Sequence, residues 1–87
     1  MANVNATVEE VMPQAGANLT GRKLGFLDSA TKAAQNDTVT VTNAKEVVYA
    51  SLTIDADGSE EAVTVATNVI TCKDASTGAV SGFVYYR

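Results

Sequence analysis

Asp37-Thr-Val-Thr-Val-Thr42 alternates threonine with valine. The same period of two continues through Glu46-Val-Val-Tyr-Ala-Ser-Leu-Thr-Ile54, Ala62-Val-Thr-Val65, Val69-Ile-Thr-Cys72 and Gly82-Phe-Val-Tyr-Tyr86. Successive side chains of a strand point to opposite faces, so this spelling specifies a sheet with a buried face. Turn chemistry separates the runs: Asn43-Ala, Asp55-Ala-Asp-Gly58 with a glycine suited to positive φ, Thr67-Asn68, and Asp74-Ala-Ser-Thr-Gly78. Short, evenly spaced strands of this kind predict an all-β domain, either a small antiparallel β-sandwich or a barrel-like meander. Parallel pairing is not expected, because parallel neighbours need long crossovers and nothing here supplies several crossover helices. The predicted core comprises Val41, Val48, Leu52, Ile54, Val65, Ile70, Cys72 and Val84.

Upstream the texture changes. Val8-Glu-Glu-Val-Met12 reads as a short strand or a turn of helix that Pro13 stops by removing a backbone donor. Gln14 to Gly21 is small-residue loop, Arg22-Lys-Leu-Gly-Phe-Leu27 is apolar enough for a strand, and Asp28 to Gln35 reads as loop with one helical turn. The expected organisation is an irregular N-terminal arm over residues 1–21 and one β domain over 22–87. Deleting residues 1–12 is expected on that basis to weaken partner binding more than domain stability.

Composition narrows the function. A chain of 87 residues makes one domain, and at this size only about 60–65% of the unfolded surface is buried, so the core is marginal. Small domains recruit disulfides, metals or partner chains. Cys72 is the only cysteine and there is no histidine, which removes an internal disulfide and argues against a zinc site, leaving association with other chains. The net charge of −4, with scattered basic residues, argues against nucleic acid. No run reaches the length of a membrane span and the first residues do not spell a signal peptide, so use without secretion is expected.

The residues that carry chemistry are few. Asp55, Asp57, Ser59 and Glu61 place oxygen atoms at alternate positions as calcium loops do, yet the twelfth position from Asp55 is Ala66 and not the required glutamate. The simpler reading is an acidic hairpin tip. Cys72, in phase with Ile70, reads as a small core residue without an activating base. Glu9-Glu10 and Glu60-Glu61 are adjacent pairs that point opposite ways on a strand, and nothing selects two carboxylates facing across a cleft. No catalytic residue and no cofactor is expected. The closing strand is more informative: Phe83 and Tyr85 share one face while Val84 and Tyr86 share the other. Either that strand is central and covered on both sides, or one face meets another chain, a role that suits tyrosine. The candidate interface residues are Phe83, Tyr85, Tyr86, Val8 and Met12.

Asn36-Asp-Thr-Val-Thr-Val-Thr-Asn43, Val47-Val-Tyr-Ala-Ser-Leu-Thr-Ile54, Thr67-Asn-Val-Ile-Thr71 and Thr77-Gly-Ala-Val-Ser-Gly-Phe-Val-Tyr-Tyr86 resemble the small structural proteins encoded beside the major capsid gene of tailed bacteriophages. With their turns these phrases span somewhat more than half of the chain, and they are sheet phrases, not active-site signatures. Cys72 stands where a plain aliphatic is more usual. The resemblance implies a head decoration (cement) protein: an all-β unit on the capsid exterior, bound to the major capsid protein, homo-oligomeric with a trimer favoured, and made in the host cytoplasm. It carries over no contact residues. The alternatives are another virion β component, associated with the tail tube or a fibre, and a free-standing immunoglobulin-like binding module.

Overall fold

The computed structural model describes residues 2–11 and 23–87. Every regular element among them is a strand: β1 (Asn3–Ala6), β2 (Val8–Glu10), β3 (Lys23–Lys32), β4 (Thr38–Val41), β5 (Val47–Ile54), β6 (Glu60–Glu61), β7 (Val63–Ala66), β8 (Val69–Cys72) and β9 (Gly78–Tyr86). They form two sheets, ordered β1-β4-β8-β7 and β2-β3-β9-β5-β6, so the domain is an all-β sandwich.

The order is not that of a meander. β1 and β4 run parallel, with Val4 opposite Val39 and Ala6 opposite Val41. The sequence expectation excluded such a pair for want of a helical crossover. Here the chain between β1 and β4 passes through β2 and β3 of the other sheet, and that excursion does the work of the crossover. Residues 3–10, expected to belong to an irregular arm, therefore supply one strand to each sheet. The segment Asp28 to Gln35 also differs from expectation, since β3 runs through it as far as Lys32. The extended path is kept by a bulge between Leu27 and Ala30, where Ser29 takes a φ of 65° and its N–H is bonded by the Ser81 hydroxyl at 3.0 Å.

The inner faces meet over Val8, Leu27, Ala30, Val39, Val41, Val47, Ala50, Leu52, Ile54, Ile70, Cys72, Val80, Val84 and Tyr86. Six of the eight expected core residues are among them; Val65 is half-buried against the cluster, and Val48 is half-buried as well. Val48 misses the core because a bulge between Val47 and Tyr49 shifts the phase of β5, turning Val47 inward instead. Two glycines permit close approach. A Cβ on Gly25 would stand 2.7 Å from the Tyr86 ring, and one on Gly82 would meet the Ser51 carbonyl and stand 2.8 Å from Leu52 Cα. The sheets are tied at one corner by Val47 N–H donating to Thr67 O at 2.7 Å.

The buried charged side chains Lys32, Glu61 and Asp37 are paired. The Lys32 ammonium sits 2.5 Å from Glu61 Oε1 and donates to Asp74 O at 2.6 Å, while Glu61 Oε2 accepts the Asp74 N–H at 2.8 Å. The Asp37 carboxylate accepts three backbone N–H groups, from Ala2 and Ala33 at 2.8 Å and from Ala34 at 3.0 Å. It thereby fastens the start of β1 to the turn before β4. Asn43 does the same for β2, bonding the Val8 N–H and carbonyl with its side-chain amide at 3.0 and 2.8 Å.

Candidate functional site

The two outer faces differ in chemistry. That of the four-stranded sheet is polar: Asn3 Oδ1 accepts from the Thr38 and Thr40 hydroxyls, both at 2.8 Å, and Thr64 and Thr71 continue the row. That of the five-stranded sheet gathers four of the chain's five aromatic residues. The ladders set them in two rows. Glu9, Phe26, Phe83 and Ser51 lie side by side across β2, β3, β9 and β5. In the next row Leu24, Tyr85 and Tyr49 do the same across β3, β9 and β5, with Val11 beside Leu24 through its N–H on the Leu24 carbonyl. Phe26 and Phe83 meet edge to face, ring centroids 5.5 Å apart and planes at 69°. Exposure is large for apolar groups: Tyr49 63%, Phe83 51% and Val11 42%.

Alternation sorts the expected interface residues. Phe83 and Tyr85 stand on this outer face. Tyr86 and Val8 do not: each is 4% exposed and packs inward, Tyr86 in register with Val84 along β9 and Val8 opposite Leu27. Burial, and then the Glu10 carboxylate, push the Tyr86 hydroxyl above its ordinary pKa. Met12 lies outside the described residues. The sequence reading missed Phe26 and Tyr49. Phe26 lies opposite Phe83 across the ladder, a pairing of β3 with β9 that is fixed only by the fold; Tyr49 was hidden by the bulge beside it.

Charged residues of both signs lie along the same face. Arg87, two positions past Tyr85, bonds Glu46 at 2.7 Å, and Glu9 stands beside Phe26. Beyond Phe83, Ser81 donates to Asp55 Oδ2 at 3.0 Å and Glu60 stands opposite Thr53. Lys23 pairs with Tyr86 and so falls on the inward phase of β3.

The alternating oxygen ligands of the β5–β6 hairpin do not converge. Asp57 accepts from the Ser59 N–H and hydroxyl at 3.0 and 2.7 Å, which holds its carboxyl below the ordinary range, whereas Glu61 turns inward to Lys32. Among the described residues no three His, Cys, Asp or Glu side chains cluster in a metal-binding arrangement. Cys72 is a free thiol buried in the core, and burial, with Glu61 nearby, pushes its pKa up to about 11. An open depression of about 350 Å³ lies between β1 and the β3 bulge, lined by Asn5, Ala6, Thr7, Asp28, Ser29 and Thr42, with one carboxylate in it. The arrangement that stands out is therefore the exposed aromatic face of the five-stranded sheet. Comparison with family models, with curated proteins and with solved structures gave no match.

Proposed function

We propose that this protein is a structural component of a bacteriophage virion, a decoration protein that binds the outside of the capsid and stabilises the shell. The observation that carries the reading is the outer aromatic face, which exposes Tyr49 and Phe83 beside Phe26 and Tyr85 on the stiff five-stranded sheet. Exposed aromatic rows of this kind are costly in water and well suited to being buried against protein. The resemblance of the sheet phrases to phage capsid-associated proteins supports that class of assembly. Shell stabilisation needs no reacting group: a protein that binds only the assembled lattice stabilises it by RT ln(1 + [L]/Kd), repeated at every site.

The test is location. Virions of the phage that encodes this chain, purified and gently dissociated, are expected to release it at a copy number commensurate with the capsid lattice, and imaging is expected to place it on the exterior. Its absence from purified particles overturns the reading; recovery with tails alone assigns it to the tail and overturns the capsid role.

A further inference from the structure

We infer that the buried Lys32–Glu61 pair is the precursor of an intramolecular isopeptide bond, formed between Lys32 Nζ and Glu61 Cδ with loss of water. The inference concerns the chain alone and is independent of the capsid reading. Lys32 ends β3, and Glu61 lies on β6, an edge strand of two residues. β9 and β5 stand between those strands in the sheet, so the two side chains meet across it inside the sandwich. The side chains are 1% and 0% exposed, and Lys32 is the largest residue so deeply buried among the described residues. Nζ stands 2.5 Å from Oε1, closer than the roughly 2.7–2.9 Å of a charge-assisted N–H···O bond. Oε1 nevertheless accepts no hydrogen bond, so this approach is not that of an aligned donor. A near-attack arrangement needs reacting atoms roughly 3–3.5 Å apart. The carboxyl carbon lies one bond beyond Oε1, so no more than a small rotation of the carboxyl is needed.

Asp74 supplies the rest of the arrangement. Its carbonyl accepts from Nζ at 2.6 Å and orients the nitrogen, while its N–H donates to Oε2 at 2.8 Å. That donor stays in place as charge gathers on Oε2 in the tetrahedral intermediate. The step balances within the pair. One ammonium proton passes to Oε1, which removes two charges from a dry interior where both are costly. The freed lone pair attacks Cδ, a second proton passes from nitrogen to Oε1, and the Cδ–Oε1 bond breaks to release Oε1 as water. Nζ keeps one proton as the amide nitrogen, and no further reagent is needed. Fixed geometry holds amine and carboxyl at an effective concentration on the order of 10⁵–10⁸ M, and the interior excludes the water that would reverse the step. The product is a covalent ring over residues 32–61 that pins the short edge strand β6 to β3 across the sheet. Until the bond forms, the pair is the ion pair described above.

Intact-mass spectrometry of the full chain, under denaturing conditions, reads the outcome. The 9.0 kDa chain is expected to be lighter by one water, on purification or after a week's incubation in the folded state at neutral pH. Tryptic digestion is expected to yield residues 24–45 joined to residues 46–73, because a linked Lys32 is no longer a cleavage site. Chain held in concentrated urea is expected to gain no further loss during the same week. The variant combining Lys32→Met with Glu61→Leu, which sets an apolar pair in place of the charged one, is expected to keep its full mass. Full mass in the folded parent after that week, with residues 24–32, 33–45 and 46–73 as separate peptides, overturns the inference and leaves a plain ion pair. Water loss confined to one linear peptide, as ring closure at Asp57-Gly58 would give, overturns it as well. So does equal loss in the double variant, or loss that proceeds in urea as it does in the folded chain. None of these results depends on virions: an unlinked chain leaves the capsid location standing, and absence from virions leaves the cross-link standing.

Discussion

At the scale of single residues, two buried acids do different work. Glu61 is 2% exposed and holds the Lys32 ammonium, itself 1% exposed, inside the sandwich. Removing one member of such a pair strands the other. Glu61→Ala is expected to cost about 3–5 kcal/mol in urea unfolding, whereas Lys32→Met combined with Glu61→Leu is expected to recover most of that loss, because two apolar groups replace two desolvated charges. An additive double mutant would show that the two charges are not coupled. Asp37 acts through its three N–H donors, with that of Ala2 the largest influence, followed by Ala33, and together they hold its carboxyl below the ordinary value of 3.8. A depressed folded-state pKa contributes stability that is complete above the unfolded value and is lost as pH falls through the folded one. Thermal midpoints are therefore expected to drop as pH falls below about 4, and Asp37→Asn to lower the neutral-pH midpoint while flattening that acid limb. An acid limb as steep in the variant as in the parent would assign it to other carboxylates, such as Asp74, held low by the Ser76 N–H and hydroxyl.

At the scale of elements, β5 shows what a period of two conveys and where it stops. From Ala50 to Ile54 the sequence phase and the structure agree, and Leu52 is fully buried. Leu52→Ala is expected to cost about 2–5 kcal/mol. Counting back from Leu52 in steps of two reaches Val48, yet Val47 is the buried residue, because the bulge inserts one position. Val48→Ala is accordingly expected to cost less than about 1 kcal/mol; a cost equal to that of Leu52→Ala would place Val48 in the core after all. Bulges are set by what lies across the ladder, and a single strand's spelling does not contain its neighbour. The same reason explains β1 and β2. Four and three residues long, they carry too few alternations to announce themselves, and their anchors, the Asp37 carboxylate and the Asn43 amide, come from 35 residues downstream. The aromatic face was half legible for the same reason. Phe83 and Tyr85 declared themselves within one strand, while Phe26 and Tyr49 joined them only through pairing across β9.

At the scale of the whole molecule, the chain is a slab with one wet side and one aromatic side. The first strands are part of the slab: β1 covers the edge of β4, and β2 brings Val8 into the core. Deleting residues 2–11 is therefore expected to destabilise the fold at least as much as it weakens any association, reversing what the sequence suggested. Chemical denaturation of the truncated chain beside a sedimentation run measures both, and a truncation that leaves the unfolding midpoint unchanged would restore the arm. One further consequence follows from β9, which lies between β3 and β5 yet comes after every other strand in the chain. The five-stranded sheet has no middle until residues 78–86 have been synthesised. β3 must wait with its apolar side uncovered while some fifty residues are added, and loop closure over such separations is slow. Folding of this sheet thus waits for residues 78–86, and a nascent chain stopped before Gly78 carries valine-rich strands with open edges, the state most prone to aggregate.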